Sequence, residues 1–223
     1  MTALVLQARL DSTRLPGKSL FPLGEKPLIS RVMEAFISFP VETKILACPE
    51  DSVSSFVSLA EEAHFSVIPG SKEDVLARYC HAIRESGADR IIRATGDNPF
   101  VFIDAAAALD SEADADYACF FGLPCGAGVE IINSEALLKA EKEAKDPWER
   151  EHVCPYLYNH PELFRLHRPL APNCWQAPEL RVTVDTREDY DRALALYGHL
   201  LSLPLEERNK GENIIAACKQ IFA

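Results

Sequence analysis

Three cations, Arg9, Arg14 and Lys18, fall within ten residues of one another, interleaved with the hydroxyls of Ser12 and Thr13 and with Gly17. Arginine forks grip phosphate oxygens in pairs, lysine acts as a mobile point charge, and glycine lets backbone N–H groups approach closely. Such a loop can hold a polyphosphate; a basic loop that is merely solvated is the alternative. The glycine spacing of a Walker loop is absent. Two aspartates complete the chemistry. Asp97 follows Gly96, and Asp185 lies in Val184-Asp185-Thr186. A divalent magnesium ion prefers oxygen ligands and is commonly shared between one or two carboxylates and substrate phosphates. Gly96-Asp97 reads equally well as a plain turn. With both aspartates facing the cationic loop, the set suits nucleotidyl transfer: in-line attack on an α-phosphate, with charge on the transferring oxygens neutralised.

These residues need elements to position them. The apolar run Ala3-Leu4-Val5-Leu6 reads as a buried first strand opening directly into the cationic loop. Ligands of open α/β sheets bind at that end of the strands. A helix from Pro27 would bury Leu28, Ile29, Val32, Met33, Phe36 and Ile37. Next come a strand at 43–48, a helix at 51–64 capped by Asp51 or Ser52, a strand at 65–68 ending in Pro69-Gly70, and a helix at 73–86 capped by Ser71. A strand through Ile91 and Ile92 delivers Gly96-Asp97 to the same sheet edge. A short helix at 104–109, strands at 117–121 and 129–132, and helices at 135–145 and 147–158 follow. The glycine-rich link 122–128 is read as a turn in preference to a substrate-facing loop. Strands at 163–166 and 180–184 precede a capping box of Thr186 and Asp189, which leaves Asp185 free to face the site. A helical tail from Leu205 packs against the sheet. The alternation predicts an α/β fold with a mostly parallel sheet, as one domain over residues 1–223.

Composition narrows the function classes. A net charge of −11 argues against a nucleic-acid or anionic-membrane surface, so the basic loop marks a local site. No segment has the length and apolarity of a membrane span or the pattern of a signal peptide, and a cytoplasmic location is expected. The seven cysteines show no C-x-x-C pair and suit reduced thiols; the spacing of Cys119, Cys125, Cys154 and Cys174 does not favour zinc. His152, alone on its predicted helix, reads as packed or hydrogen-bonded in preference to a base or ligand.

The stretch from Gln7-Ala8-Arg9 through Ser12-Thr13-Arg14-Leu15-Pro16-Gly17-Lys18 resembles the N-terminal signature of the CMP-sugar synthetases. Further matches are Gly70-Ser71 with Asp74 through Tyr79, Arg93 through Pro99, Arg150-Glu151-His152-Val153 with Pro155-Tyr156, and Arg181 through Thr186 with Glu188-Asp189. Together they are similar to the spore-coat polysaccharide biosynthesis protein F group of the acylneuraminate and 3-deoxy-manno-octulosonate (KDO) cytidylyltransferase family. The resemblance implies a three-layer α/β/α sandwich, the Rossmann-like nucleotide-diphospho-sugar transferase fold. It implies a Mg2+-dependent enzyme, expected to be a homodimer, that joins CTP to an acidic sugar and releases pyrophosphate for surface polysaccharide synthesis. By matching position, Arg9, Arg14 and Lys18 would hold the triphosphate, and Asp97 and Asp185 the metal, with Lys18, Asp97 and Asp185 as the catalytic set. Gln7, Ala8, Ser12, Thr13 and Arg78 would complete the nucleotide site. Asn98 stands where the KDO enzymes usually carry an acidic residue, and Ser19 where proline is common; both bear on which sugar is activated. Two other readings remain, a glycosyltransferase of the same fold and a non-catalytic nucleotide-binding scaffold. For the former, Asp114-Ala115-Asp116 precedes a strand and reads as a solvated turn.

Overall fold

In the computed structural model, which describes residues 1–222, β1 (Thr2–Gln7) is an interior strand of a seven-stranded sheet. Its side chains alternate between two layers: Leu4 and Leu6 enter one apolar cluster, Ala3 and Val5 the other, all four fully buried. A strand apolar on both faces is satisfied only between two layers of helices, and that is where it lies. After β1 come a small hairpin of β2 (Pro22–Leu23) and β3 (Lys26–Pro27), then β4 (Thr43–Pro49), β5 (Ser66–Gly70), β6 (Arg90–Thr95), β7 (Tyr117–Ala118), β8 (Glu130–Asn133) and β9 (Leu166–His167). The sheet order is β5-β4-β1-β6-β8-β7-β9, with β8 antiparallel to both its neighbours and the other pairings parallel.

Helices cover both faces. On the Leu4 and Leu6 side lie α1 (Leu28–Ala35), α2 (Val53–Glu62) and α4 (Ile103–Glu112); on the Ala3 and Val5 side lie α3 (Val75–Ser86) and α5 (Ser134–Glu143). The short α6 (Pro147–His152) and α7 (Pro155–Asn159) extend the second layer, and α8 (Arg187–Leu200) and α9 (Gly211–Phe222) the first. The result is the α/β/α sandwich that the family resemblance implies.

The differences have local causes. One predicted helix over 147–158 is broken at Val153, whose φ of 74° no α-helix accommodates, so Pro155 opens a new turn. The α3 cap is Asp74, which accepts from the Ala77 amide at 3.0 Å, while Ser71 accepts from the Asp74 amide. Ser52 stands at the N-cap of α2, but its hydroxyl donates to Asp51 Oδ1 at the end of a 3₁₀ turn in place of a capping bond to the helix. Ile37 is exposed beyond the end of α1, and the tail helix α9 packs on α8 and α4 rather than on the sheet. Most consequentially, 180–184 is no sheet strand. It is an extended segment tied to the 122–128 loop by a single bridge, Cys125 with Arg181, so Asp185 is delivered from outside the sheet. Among the described residues no helix is long and apolar enough to cross a membrane.

The sheet edge where β1 and β6 end carries the site. Gln7 and Thr95 are registered partners, and the Gly96 amide donates to Gln7 O at 2.6 Å. A Cβ on Gly96 would stand 2.7 Å from Ile29 Cδ1 and 2.9 Å from Gln7 O, with backbone on one side and a fully buried chain on the other. Only glycine fits this crossing. Gly96→Ala is therefore expected to lower stability by about 1–3 kcal/mol through overpacking, measured as a shift in urea midpoint, and to displace Asp97.

Candidate functional site

The cationic loop is folded back on itself by backbone bonds. Ala8 still donates to Ala47 O, and Gly17, at φ +73°, donates to Leu10 O at 2.7 Å, closing the loop. A left-handed residue at that point favours glycine. Ser19 Oγ then bonds Arg9 O, and a 3₁₀ turn at Lys18–Leu20 aims the Lys18 side chain beneath the loop. The Lys18 side chain is 7% exposed, and its ammonium donates to Asp97 Oδ2 at 2.8 Å, Val184 O at 2.7 Å and Asp185 Oδ1 at 2.9 Å. An ammonium has three donors, and all three are used.

The two aspartates differ in their surroundings. Asp185 faces three cations: Lys18, Arg14 at 3.0 Å from Oδ1, and Arg181 at 2.5 Å from Oδ2. Burial by itself raises the Asp185 carboxyl, but the Lys18 hydrogen bond and the charges of Lys18, Arg14 and Arg181 outweigh it and hold the group below its ordinary value of 3.8. Asp97 spends Oδ2 on Lys18 and remains more open than Asp185. Its backbone is stitched to the incoming segment, with Val184 N donating to Asp97 O at 2.9 Å. Thr186 caps α8 in the predicted capping box, and Asp189 Oδ2 also accepts from the Asp185 amide.

A cleft of about 360 Å³ opens over this cluster, lined by Gln7, Ala8, Arg9, Ser12, Thr13, Arg14, Lys18, Asp97 and Asp185 among others.

 Nine of the ten predicted site residues line the cleft, all except Arg78. Arg78 is buried behind it, its Nη1 donating to Ser71 O at 3.0 Å and its Nε and Nη2 without partners, with Gly70 packed against its stem. Three features escaped the sequence reading. Arg181 reaches Asp185 because its segment leaves the sheet. The 122–128 link, read as a turn, faces the site through Cys125 and Gly126. It also forms, with Phe120, Phe121, Arg93, Tyr117 and Glu130, a second pocket of about 420 Å³ that shares Thr95 and Asn98 with the first. Its signal was Gly126, which at φ +91° lies so close to Thr183 and Asn98 that a Cβ would stand under 3 Å from both. His152 is exposed and lies against the Trp148 ring, and Arg150 is structural, clamping Asp74 and the carbonyls of Glu141 and Ala144.

Residues 3–215 match the cytidylyltransferase family, which is nearly the whole chain. The chain belongs to that family. It is 36% identical over 207 residues to the spore coat polysaccharide biosynthesis protein SpsF of Bacillus subtilis, covering 86% of this chain and 85% of that one. Over 104 residues it is 31% identical to the 3-deoxy-manno-octulosonate cytidylyltransferase of Aeromonas salmonicida, covering 44% of this chain and 40% of that one. Among solved structures, a cytidylyltransferase from Leptospira borgpetersenii superposes with a TM-score of 0.89 at 25% identity, covering 98% of this chain and 94% of the other.

The donor set bears on a metal. Among the described residues no three His, Cys, Asp or Glu side chains cluster as a ready-made cage. Two carboxylates at a cleft able to admit phosphates are nonetheless the usual complement for magnesium, which takes its remaining ligands from water and substrate. Asp97 and Asp185 therefore fit such an ion, with Lys18 already spanning them. The charge balance makes a pH prediction. A carboxyl held below its unfolded value stabilises the fold in full above that value, and the stabilisation is lost as pH falls through the depressed one. Asp185→Asn is expected to be less stable than wild type at pH 7, and the gap in urea midpoint is expected to close as pH falls below 3.8.

Proposed function

We propose that the protein transfers a cytidylyl group from CTP to a hydroxyl of an acidic sugar, giving a CMP-sugar and pyrophosphate. The observation that carries this reading is the facing of a cationic loop, Arg9 with Arg14 and Lys18, against Asp97 and Asp185 in one cleft that runs into a second, partly aromatic pocket. The family supports the nucleotide. The paired pockets support two substrates meeting at the shared Thr95 and Asn98 wall.

In this reading Arg9, Arg14, Ser12 and Thr13 bind the triphosphate, with Gln7 and Ala8 beside the nucleotide. Arg78 acts through the Ser71 carbonyl, shaping the turn that borders the nucleotide. Magnesium, held by Asp97 and Asp185, would neutralise charge on the phosphate oxygens when bound. Lys18 keeps the two carboxylates at a fixed separation and offsets their repulsion. The protein supplies positioning and electrostatics, and the acceptor hydroxyl supplies the nucleophile. A homodimer in the cytoplasm, serving surface polysaccharide synthesis, completes the proposal.

Titration calorimetry with CTP, ATP, GTP and UTP, with and without magnesium, tests it: magnesium-dependent binding selective for CTP is expected, and binding of no nucleotide would overturn it. Asp97→Asn is expected to abolish pyrophosphate release while leaving the thermal midpoint near that of wild type. Arg14→Ala is expected to weaken CTP binding by about 1.5–3 kcal/mol, the range for a charge-assisted hydrogen bond.

A further inference from the structure

The helix α6 has six residues, and none of them is buried. Helices this short owe their stability to packing an apolar face, so α6 is held by other means. Asp146 caps its first turn, accepting from the Trp148 amide at 2.9 Å. Arg150 spends Nε and Nη2 on Asp74 at 2.8 and 2.6 Å, and Nη1 on Glu141 O and Ala144 O at 2.9 Å each. That ties α6 to the capping residue of α3 and to the end of α5. At its far end the fully buried Val153, at φ 74° and ψ −58°, makes a γ-turn closed by the Cys154 amide on His152 O at 2.9 Å. A γ-turn of this hand is rare and strained, the more so for a β-branched residue, and such strain persists where the surroundings hold it and gathers near functional sites.

Between those anchors the helix carries Glu151 to the cationic loop. Its Oε1 stands 3.7 Å from Arg9 Nη1. Arg9 lines the first cleft and Glu151 does not, so the carboxylate meets the guanidinium from outside and leaves the rest of its five donors for the cleft. The other two cations of the loop are likewise held by acids from later in the chain, Lys18 by Asp97 and Asp185, and Arg14 by Asp185. A free arginine loses its rotamer freedom when a ligand takes it, and one already held loses less.

We propose that Glu151 is a positioning residue for the triphosphate: it holds Arg9 in place from outside the cleft, and α6, fixed by Arg150 and Val153, is the strut that presents it. The assignment rests on the nucleotide reading above. It gives the Arg150-Glu151-His152-Val153 motif one purpose, with Arg150 and Val153 setting the helix and Glu151 acting through Arg9. It also has a sign. A carboxylate beside a triphosphate site, acting by charge alone, repels the ligand, whereas one that orients a binding arginine favours it.

The test is calorimetric titration with CTP and magnesium of wild type, Glu151→Gln, Glu151→Asp, Arg9→Gln, the double variant Arg9→Gln with Glu151→Gln, and Glu149→Gln, which removes an acid of the same helix outside the Arg9 contact. Thermal midpoints are measured alongside. Glu151→Gln is expected to weaken CTP binding about 3–5-fold, the upper end for a partly exposed ion pair, with a thermal midpoint near that of wild type. Glu151→Asp is expected to recover part of the loss, and Glu149→Gln to bind as wild type does. In the Arg9→Gln background, Glu151→Gln is expected to cost nothing further, because its effect runs through Arg9. Tighter or unchanged binding by Glu151→Gln would overturn the proposal. So would a loss that persists in the Arg9→Gln background, or one that Glu149→Gln matches. Failure of wild type to bind CTP would overturn the nucleotide reading and this assignment with it.

Discussion

A buried ammonium is tolerated only where acceptors surround it, and Lys18 gathers its three from two distant parts of the chain. One proton goes to the loop after β6, two to the segment before α8. That requirement fixes the geometry of the edge: the cationic loop must fold under itself, Gly96 must leave room at the strand crossing, and residues 184–185 must lie against Asp97. The carboxylates that result are close enough to share a cation and are prevented from repelling one another by the lysine between them.

The two pockets divide the work by charge. Over the first, cations from the β1 loop outnumber the aspartates, which suits the triphosphate proposed for it. Around the second, Arg93 and Glu130 cancel, and aromatic surface from Phe120 and Phe121 takes over. Thr95 and Asn98 belong to both, so the peptide that ends β6 is where two bound molecules would meet.

Much of this was legible in the sequence because it is written locally. An apolar run open to a polar loop announces β1, and the capping box of Thr186 and Asp189 announces α8 and the freedom of Asp185. The α/β alternation carried the layers. What failed was non-local or depended on a single backbone angle. Residues 180–184 have strand character but find no sheet neighbour, only Cys125 and the Asp97 carbonyl. Val153 breaks a helix that its composition would continue. Arg181 is an ordinary surface arginine in the sequence, and only the placement of its segment brings it to Asp185.

The Lys18 contacts also carry an order of assembly. Asp97 lies 79 residues from Lys18 and Asp185 lies 167. Closing the longer loop costs more chain entropy, though only slowly more with length, and the strands β1, β4, β5 and β6 pair without it. In the order of the chain, the strands of the sheet centre all precede Asp185. Until then the ammonium has Asp97 alone for a charged partner. The cleft's electrostatics are completed only when Val184 and Asp185 bring Lys18 its second and third acceptors.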